Sequence, residues 1–272
     1  MEIQVRDEEI EMLLADVMDQ YGYDFTDYAP ASLKRRINRV CLLHNLKSFA
    51  ELRWQLLNDP GFICHFVEEL TVSVTEMFRD PSFFKTLRSE VFPILATYPL
   101  IRIWHAGCST GEEVYSMAIL LKEASLLHKS ILYATDLSSD VVQRAALGIF
   151  PLAPMKEYSE NYIEAGGEHE FSKYYVAKYD RVIFSEDLSQ KMVFSTHNLV
   201  SDGSFNEFQL ILCRNVMIYF NKTLQDKVLR LFDQSLHPLG FLGLGNKETI
   251  RFNSIEHRYR QINREKIWRK KT

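Results

Sequence analysis

Four short stretches carry residue types and spacings that could do chemistry. The first is AGCSTGEE, residues 106–113, set between a short apolar run and a helical pattern. Gly107 and Gly111 let the backbone turn sharply and approach a ligand, because no Cβ intervenes. A helix beginning near Glu112 points free N–H groups into that loop, an end that favours a pyrophosphate. Here Glu112 and Glu113 stand at that end, so phosphate is repelled and a cation attracted. A ligand with an ammonium and a sulfonium, as in S-adenosylmethionine, suits this charge better. The spacing also departs from G-x-G-x-x-G, which weakens a dinucleotide reading. A plain strand–helix turn whose acids complement the helix dipole fits the same residues.

The second candidate is Asp136, which ends the next apolar run 25 residues beyond Gly111. An acid at that place can accept bonds from ribose hydroxyls; it can equally cap the following helix. The third is CRNVMIYF, 213–220, after the apolar run FQLILC. Ligands of open α/β sheets sit beyond the carboxyl ends of strands, so Asn215 and Tyr219 fall where a substrate would lie. No N-P-P-Y-like proline pair is present, which speaks against methylation of amines. The fourth is TVSVTEMFRD, 71–80, in which Thr75 and Arg79 are four apart and could share a helix face.

The elements that must position these residues fall into two parts. Up to about residue 80 the pattern is helical: Ile10, Leu13, Leu14, Val17, Met18 and Tyr21 form one stripe, and Leu33, Ile37, Val40, Cys41 and His44 another. Lys34, Arg35, Arg36 and Arg39 surround the second stripe. Ser48 and Glu51 read as a capping box, and Asp59-Pro60 and Asp80-Pro81 as capping acids before a first-turn proline. After Tyr98-Pro99 short apolar runs alternate with helices: IRIWHA, ILYATD, MVFSTH and FQLILC as strands, with helices opening at Glu112, at Ser138 or Ser139, and at Asn221. Pro238 and Gly240 mark a turn into FLGLG, and YRQIN with KIWRK suggests a terminal hairpin. This alternation predicts a mainly parallel, doubly wound sheet. SKYYVAKY and DRVIFSE, after Gly166-Gly167, together with MVFST suggest a small antiparallel insertion. The expected division is a helical domain over 1–80, a connecting helix over 81–98 and an α/β domain over 99–272, with the insertion at about 166–194.

Composition limits the function classes. Among 272 residues, 46% are hydrophobic and 25% charged, as expected of a globular protein with a real core. A net charge of −4 argues against a general polyanion binder, so no nucleic-acid partner is expected. Cys41, Cys64, Cys108 and Cys213 make no C-x-x-C pair and the histidines no H-x-x-x-H spacing, so no metal site is expected. The acidic opening MEIQVRDEEIE is unlike a signal peptide, and no apolar run approaches the ~20 residues of a membrane span. A reduced, cytoplasmic protein without membrane insertion is expected.

TVSVTEMFRD, RIWHAGCSTGEEVYS, ATDLSSDVVQRAALGIF and CRNVMIYF together resemble the CheR-type chemotaxis receptor methyltransferases, and the resemblance spans nearly the whole chain. It implies an α/β fold class: an all-helical N-terminal domain plus a Rossmann-like S-adenosylmethionine-dependent methyltransferase domain with a small antiparallel β insertion. It implies methyl transfer from S-adenosylmethionine to receptor glutamates, with S-adenosylhomocysteine as product. By the same resemblance Ser73, Thr75 and Arg79 belong to the segment that meets the cofactor, and the family often has asparagine where Ser73 stands. Gly107 lies in the cofactor loop, Glu112 near the methionine end, Asp136 at the ribose, Asn198 and Leu199 near the adenine, and Asn215 and Val216 after the fourth strand. Tyr219 is placed close to the reacting methyl, with Arg79 helping to close the site. The helix with Lys34, Arg35, Arg36 and Arg39 resembles a surface facing acidic receptor helices, and the β insertion an element that in some members docks a receptor's C-terminal peptide.

The chemistry agrees with a carboxylate acceptor. Glutamate has a pKa of about 4.3 and is ionised at neutral pH, so it can attack a sulfonium methyl without a general base. No Ser–His–Asp or Cys–His arrangement is evident. Two other classes stay open at this stage: a non-catalytic S-adenosylmethionine-binding signalling or scaffold module, and a nucleotide-dependent oxidoreductase.

Overall fold

The computed structural model describes residues 5–71 and 75–271. The chain divides into two compact units: Met1–Ser73 with Tyr219–Lys227, and Val74–Ile218 with Val228–Thr272.

The first unit is helical: α1 Asp7–Tyr21, α2 Pro30–Leu43, α3 Phe49–Asn58 and α4 Phe62–Thr71. Ile10, Leu13, Leu14 and Val17 of the α1 stripe are buried, whereas Met18 is exposed. α1 stops at Gly22, whose left-handed φ of 76° closes the last turn. Leu33, Ile37, Val40 and Cys41 bury the α2 stripe. Ser48 caps α3 by accepting from the Glu51 amide at 3.2 Å. Residues 219–227 are fastened to the α1–α2 connection: Ala29 N donates to Tyr219 O and Asn221 N to Asp27 O, both at 2.9 Å, and the Tyr28 and Phe220 rings meet edge-on at 5.0 Å.

Arg36 corrects the expectation for the basic helix. It is buried, not solvated: its Nε donates to Ser32 Oγ at 3.1 Å, its Nη1 donates to Leu70 O, and its guanidinium covers the Tyr219 ring. Burial lowers its pKa. The physical reason is its place between Leu33 and Ile37, within the apolar stripe. Lys34 is half-buried and pairs with Asp7, Arg39 is exposed and pairs with Glu69, both at 3.0 Å, and Arg35 is exposed.

In the second unit, α5 Pro81–Thr86 runs through a π-helical turn, Leu87–Val91, into α6 Phe92–Leu95. Then follow β1 Ile101–Ala106, α7 Glu112–Glu123, β2 Ser130–Asp136, α8 Ser139–Leu147, β3 Ile149–Pro151, α9 Met155–Glu164, β4 Tyr175–Lys178, β5 Arg181–Phe184, α10 Glu186–Ser189, β6 Met192–Thr196 and β7 Phe208–Cys213. α11 Lys222–Ser235, β8 Leu236–Leu244, β9 Tyr259–Gln261 and β10 Ile267–Lys270 complete the chain. The main sheet has the order β6-β2-β1-β7-β8-β10-β9; β6 to β8 run parallel, and β10 and β9 form the antiparallel hairpin at the edge. Helices cover it because parallel strands need crossovers. Val114, Met117, Ala118 and Leu121 of α7 pack with Ile103, Leu132, Ala134 and Leu212, while Trp104 lies among Phe208 and Phe232 and donates to Thr135 Oγ1 at 2.8 Å.

Three expectations change. MVFST is not part of the insertion: it is the parallel edge strand β6, paired with β2 from Leu132↔Met192 to Asp136↔Thr196. The separate antiparallel sheet is β3-β5-β4, drawing its third strand from Ile149–Pro151. Thr75 to Asp80 form no helix, because Phe78 and Asp80 take left-handed φ of 54° and 58°; these residues belong with the second unit, not the helical domain. The turn expected at Pro238 and Gly240 lies inside β8 as a bulge: the register with β7 slips between Leu236↔Phe208 and Phe241↔Leu210, and Leu239 takes a left-handed φ of 66°. No described helix is long and apolar enough to cross a membrane.

Candidate active site

The site lies in the second unit, beyond the carboxyl ends of β1, β2, β6 and β7. After β1 the chain turns at Gly107, φ 80°, whose amide and that of Cys108 donate to Thr135 O at 2.8 and 2.9 Å. A Cβ at Gly107 would overlap Val216 Cγ2. Glycine here is therefore the condition for the turns after β1 and β7 to touch. Gly111, φ 99°, begins α7 and brings it within 3.1 Å of the Ala145 Cβ, measured from the Cβ it lacks.

Asp136 ends β2 and joins two turns. Its Oδ2 accepts from Ser109 N at 2.9 Å, its Oδ1 from Leu137 N at 2.8 Å, and its carbonyl accepts from His197 N at 3.0 Å. Ser138, not Asp136, caps α8. Burial pushes the Asp136 carboxyl up, against the pull of its backbone bonds. Glu112, buried at the start of α7, accepts from Thr110 Oγ1 at 2.6 Å, and burial pushes it up as well. The Ser109 hydroxyl, on the same loop, is buried and has no hydrogen-bond partner among the described residues. Asn198 and Leu199 follow β6 and are half-buried; Asn198 Oδ1 accepts from Val200 N at 2.9 Å.

Glu113 points elsewhere. Its Oε1 meets His105 Nδ1 at 2.9 Å and its Oε2 meets Arg214 Nη1 at 3.1 Å. Burial raises its carboxyl, but these two partners outweigh burial and hold it below the usual range. Arg214 is buried over the Phe83 ring, pairs with Asp80 at 2.7 Å and donates to Arg79 O at 2.8 Å. The expected pair of cation-attracting acids thus reduces to Glu112, and Asp80 is occupied by Arg214 instead of capping α5. Successive helical residues diverge by ~100°, so Glu112 and Glu113 cannot share a face. Arg214 also ties Arg79 to the turn after β7. Arg79 itself lies 3.8 Å from Glu76. Thr75 is half-buried in the same segment, and Ser73 lies outside the described residues.

Asn215 takes a left-handed φ of 62°, and Val216 follows it against Gly107. Both amides donate to the buried carboxylate of Glu248 at 3.0 Å. Sequence reasoning missed Glu248, Arg214 and Tyr158. Tyr158 of α9 is buried; burial first, then the charges of Glu112 and Glu76, push its phenol up. Tyr219 belongs to the first unit, where it lies against Arg36. Among the described residues no cluster of His, Cys, Asp and Glu could hold a metal ion.

Residues 73–267 match the family profile described as CheR methyltransferase, SAM binding domain, and residues 8–71 match CheR methyltransferase, all-alpha domain. A Pseudomonas putida protein, Cher3, provisionally named a methyltransferase, is 46% identical, with 97% of each chain covered. A chemotaxis protein methyltransferase of Listeria innocua is 30% identical over 84% of this chain and 85% of its own. Chemotaxis protein methyltransferase 2 of Pseudomonas aeruginosa is 34% identical over 79% of this chain and 77% of its own. An all-helical unit, a glycine turn meeting β7, an acid closing β2 and the two profiles that between them run from residue 8 to 267 lead to one assignment: the chain belongs to the CheR methyltransferase family and uses S-adenosylmethionine.

Proposed function

We propose that the chain methylates glutamate side chains of chemoreceptors, giving glutamyl methyl esters and S-adenosylhomocysteine. The observation that supports this best is the loop from Gly107 to Glu112. It joins the half-buried carboxylate of Asp136 to the buried one of Glu112, both with pKa values raised by desolvation, and carries the unpartnered hydroxyl of Ser109. S-adenosylmethionine fits this donor set. Its positive groups offset buried anions, and its ribose hydroxyls can donate to Asp136. When bound, it supplies a methyl carbon made electrophilic by the sulfonium, and the electron pair of the broken S–C bond stays on sulfur.

In this reading Asp136 holds the ribose and Glu112 the ammonium, Gly107 admits the cofactor, and Asn198 with Leu199 lines the adenine. Asn215 and Val216 form the wall beyond β7, and Thr75 and Arg79 close the site. The acceptor glutamate is already ionised at neutral pH, so no residue needs to remove a proton. Tyr219, placed near the reacting methyl by the family resemblance, orients the acceptor carboxylate. The main contribution is positioning, which can be worth ~7–11 kcal/mol. The partner is the acidic cytoplasmic domain of a receptor, met in the cytoplasm by Lys34, Arg35 and Arg39 and by the β3-β5-β4 sheet.

The test is transfer of a tritiated methyl group to a receptor cytoplasmic fragment, followed by base. Carboxyl esters release labelled methanol. Label that survives base, or no transfer at all, contradicts a glutamate acceptor.

A further inference from the structure

The turn after β7 has backbone demands that its own sequence cannot meet. Asn215 sits at φ 62°, and a 3-10 turn, Met217–Tyr219, follows at once. The first amides of any such turn need acceptors, usually a Ser, Thr, Asp or Asn side chain just before it. Val216 occupies that place and offers none. The acceptor comes from the loop after β8. Glu248 Oε2 takes Gly245 N at 2.6 Å and Asn215 N at 3.0 Å, and Oε1 takes Val216 N at 3.0 Å and Ile218 N at 3.2 Å. Four amides converge on one carboxylate that is 5% exposed. Lys266 Nζ holds the Glu248 carbonyl at 2.9 Å, so the loop behind the carboxylate is itself fixed. Gly245 is required for this approach: a Cβ there would lie 2.7 Å from Asn215 N and 2.8 Å from Glu248 Oε2.

We infer that Glu248 is a positioning residue for methyl transfer, acting through Asn215 and Val216 to set the wall of the cofactor site. This rests on the cofactor reading above. With their amides turned towards Glu248, the two residues are held in one orientation before any ligand arrives. Such preorganisation reduces the ordering cost of binding. Hydrogen bonds to a buried charge are among the strong ones, and their acceptor cannot be neutralised without loosening every donor.

The test is Glu248→Gln, isosteric but unable to accept with both ends. Its dissociation constant for S-adenosylhomocysteine and its KM for S-adenosylmethionine should each rise about tenfold, with the KM for the receptor fragment unchanged. Exchange of the Asn215, Val216 and Ile218 amides should accelerate. Gly245→Ala keeps the carboxylate but wedges the clamp apart, and should give the same signature should Glu248→Gln fail to fold. A lower melting temperature with wild-type ligand affinity and wild-type donor KM in the folded variants overturns the positioning role. Wild-type protein that binds no S-adenosylhomocysteine overturns instead the cofactor reading on which that role rests, and the same titration separates the two results.

Discussion

The Arg36 guanidinium lies 3.9 Å from the centre of the Tyr219 ring, and both residues belong to the helical unit. A cation over an aromatic face is worth about 2 kcal/mol when desolvated, and Arg36 also supplies the donor for the Leu70 carbonyl. Removing it leaves a buried acceptor unsatisfied, which costs ~1–3 kcal/mol. Arg36→Ala should therefore lower unfolding stability by roughly 3–5 kcal/mol in urea titrations. Arg35→Ala, at an exposed position, should leave stability unchanged and raise the KM for the receptor fragment. Equal stability of the two variants would contradict the division of this helix into one buried and three outward cations.

Gly107→Ala tests the contact between the turns after β1 and β7. A left-handed φ costs a residue with a Cβ ~1–2 kcal/mol, and overlap with Val216 adds an overpacking cost of ~1–3 kcal/mol. The double variant Gly107→Ala, Val216→Ala should recover the second part and not the first. Additive losses in the double-mutant cycle would show that the two residues do not meet.

The acids of the site predict a pH dependence with opposite signs in the free and bound protein. Burial raises the folded pKa values of Glu112 and Asp136. Their contribution to the stability of the free protein is thus present at low pH and lost as pH rises through the raised values. A cationic ligand favours the ionised forms, so its binding strengthens over the same range. The rise in melting temperature caused by S-adenosylmethionine should shrink on acidification, beginning above the ordinary glutamate value of about 4.3. Glu112→Gln should weaken binding and reduce this dependence. A ligand shift independent of pH over that range would contradict the roles given to both acids.

Tyr219→Phe removes one hydroxyl and leaves the ring on Arg36. Turnover should fall at least about tenfold while S-adenosylhomocysteine affinity stays within about twofold of wild type, the pattern of an interaction made in the transition state. Unchanged kcat would remove Tyr219 from the reaction.

Most of the scaffold is legible in the sequence because its signals are local. IRIWHA, ILYATD and FQLILC are apolar runs of strand length ended by turn residues, and they become β1, β2 and β7. AGCSTGEE shows its glycine turns directly, and Asp136 its place at a strand end. What escaped depends on partners distant in sequence. An edge strand alternates in the same way whether its neighbour is parallel or antiparallel, so MVFST could not reveal its pairing with β2. Asp80 reads as a helix cap until Arg214, more than a hundred residues later, takes its carboxylate. Glu248 has no local signature, since its four donors lie in two separate turns. Arg36 was within reach: three residues after Leu33 and one before Ile37, it lies inside an apolar stripe where a cation must be buried and partnered.

The central claim is that the loop between β1 and α7, with the acid closing β2, takes a positively charged sulfur nucleoside. Calorimetric titration of the wild-type chain with S-adenosylmethionine, and separately with NAD, tests it directly. The account predicts saturable one-to-one binding of the first, weakened by Asp136→Asn, and no heat from the second. Binding of NAD alone, or of neither compound, would contradict it.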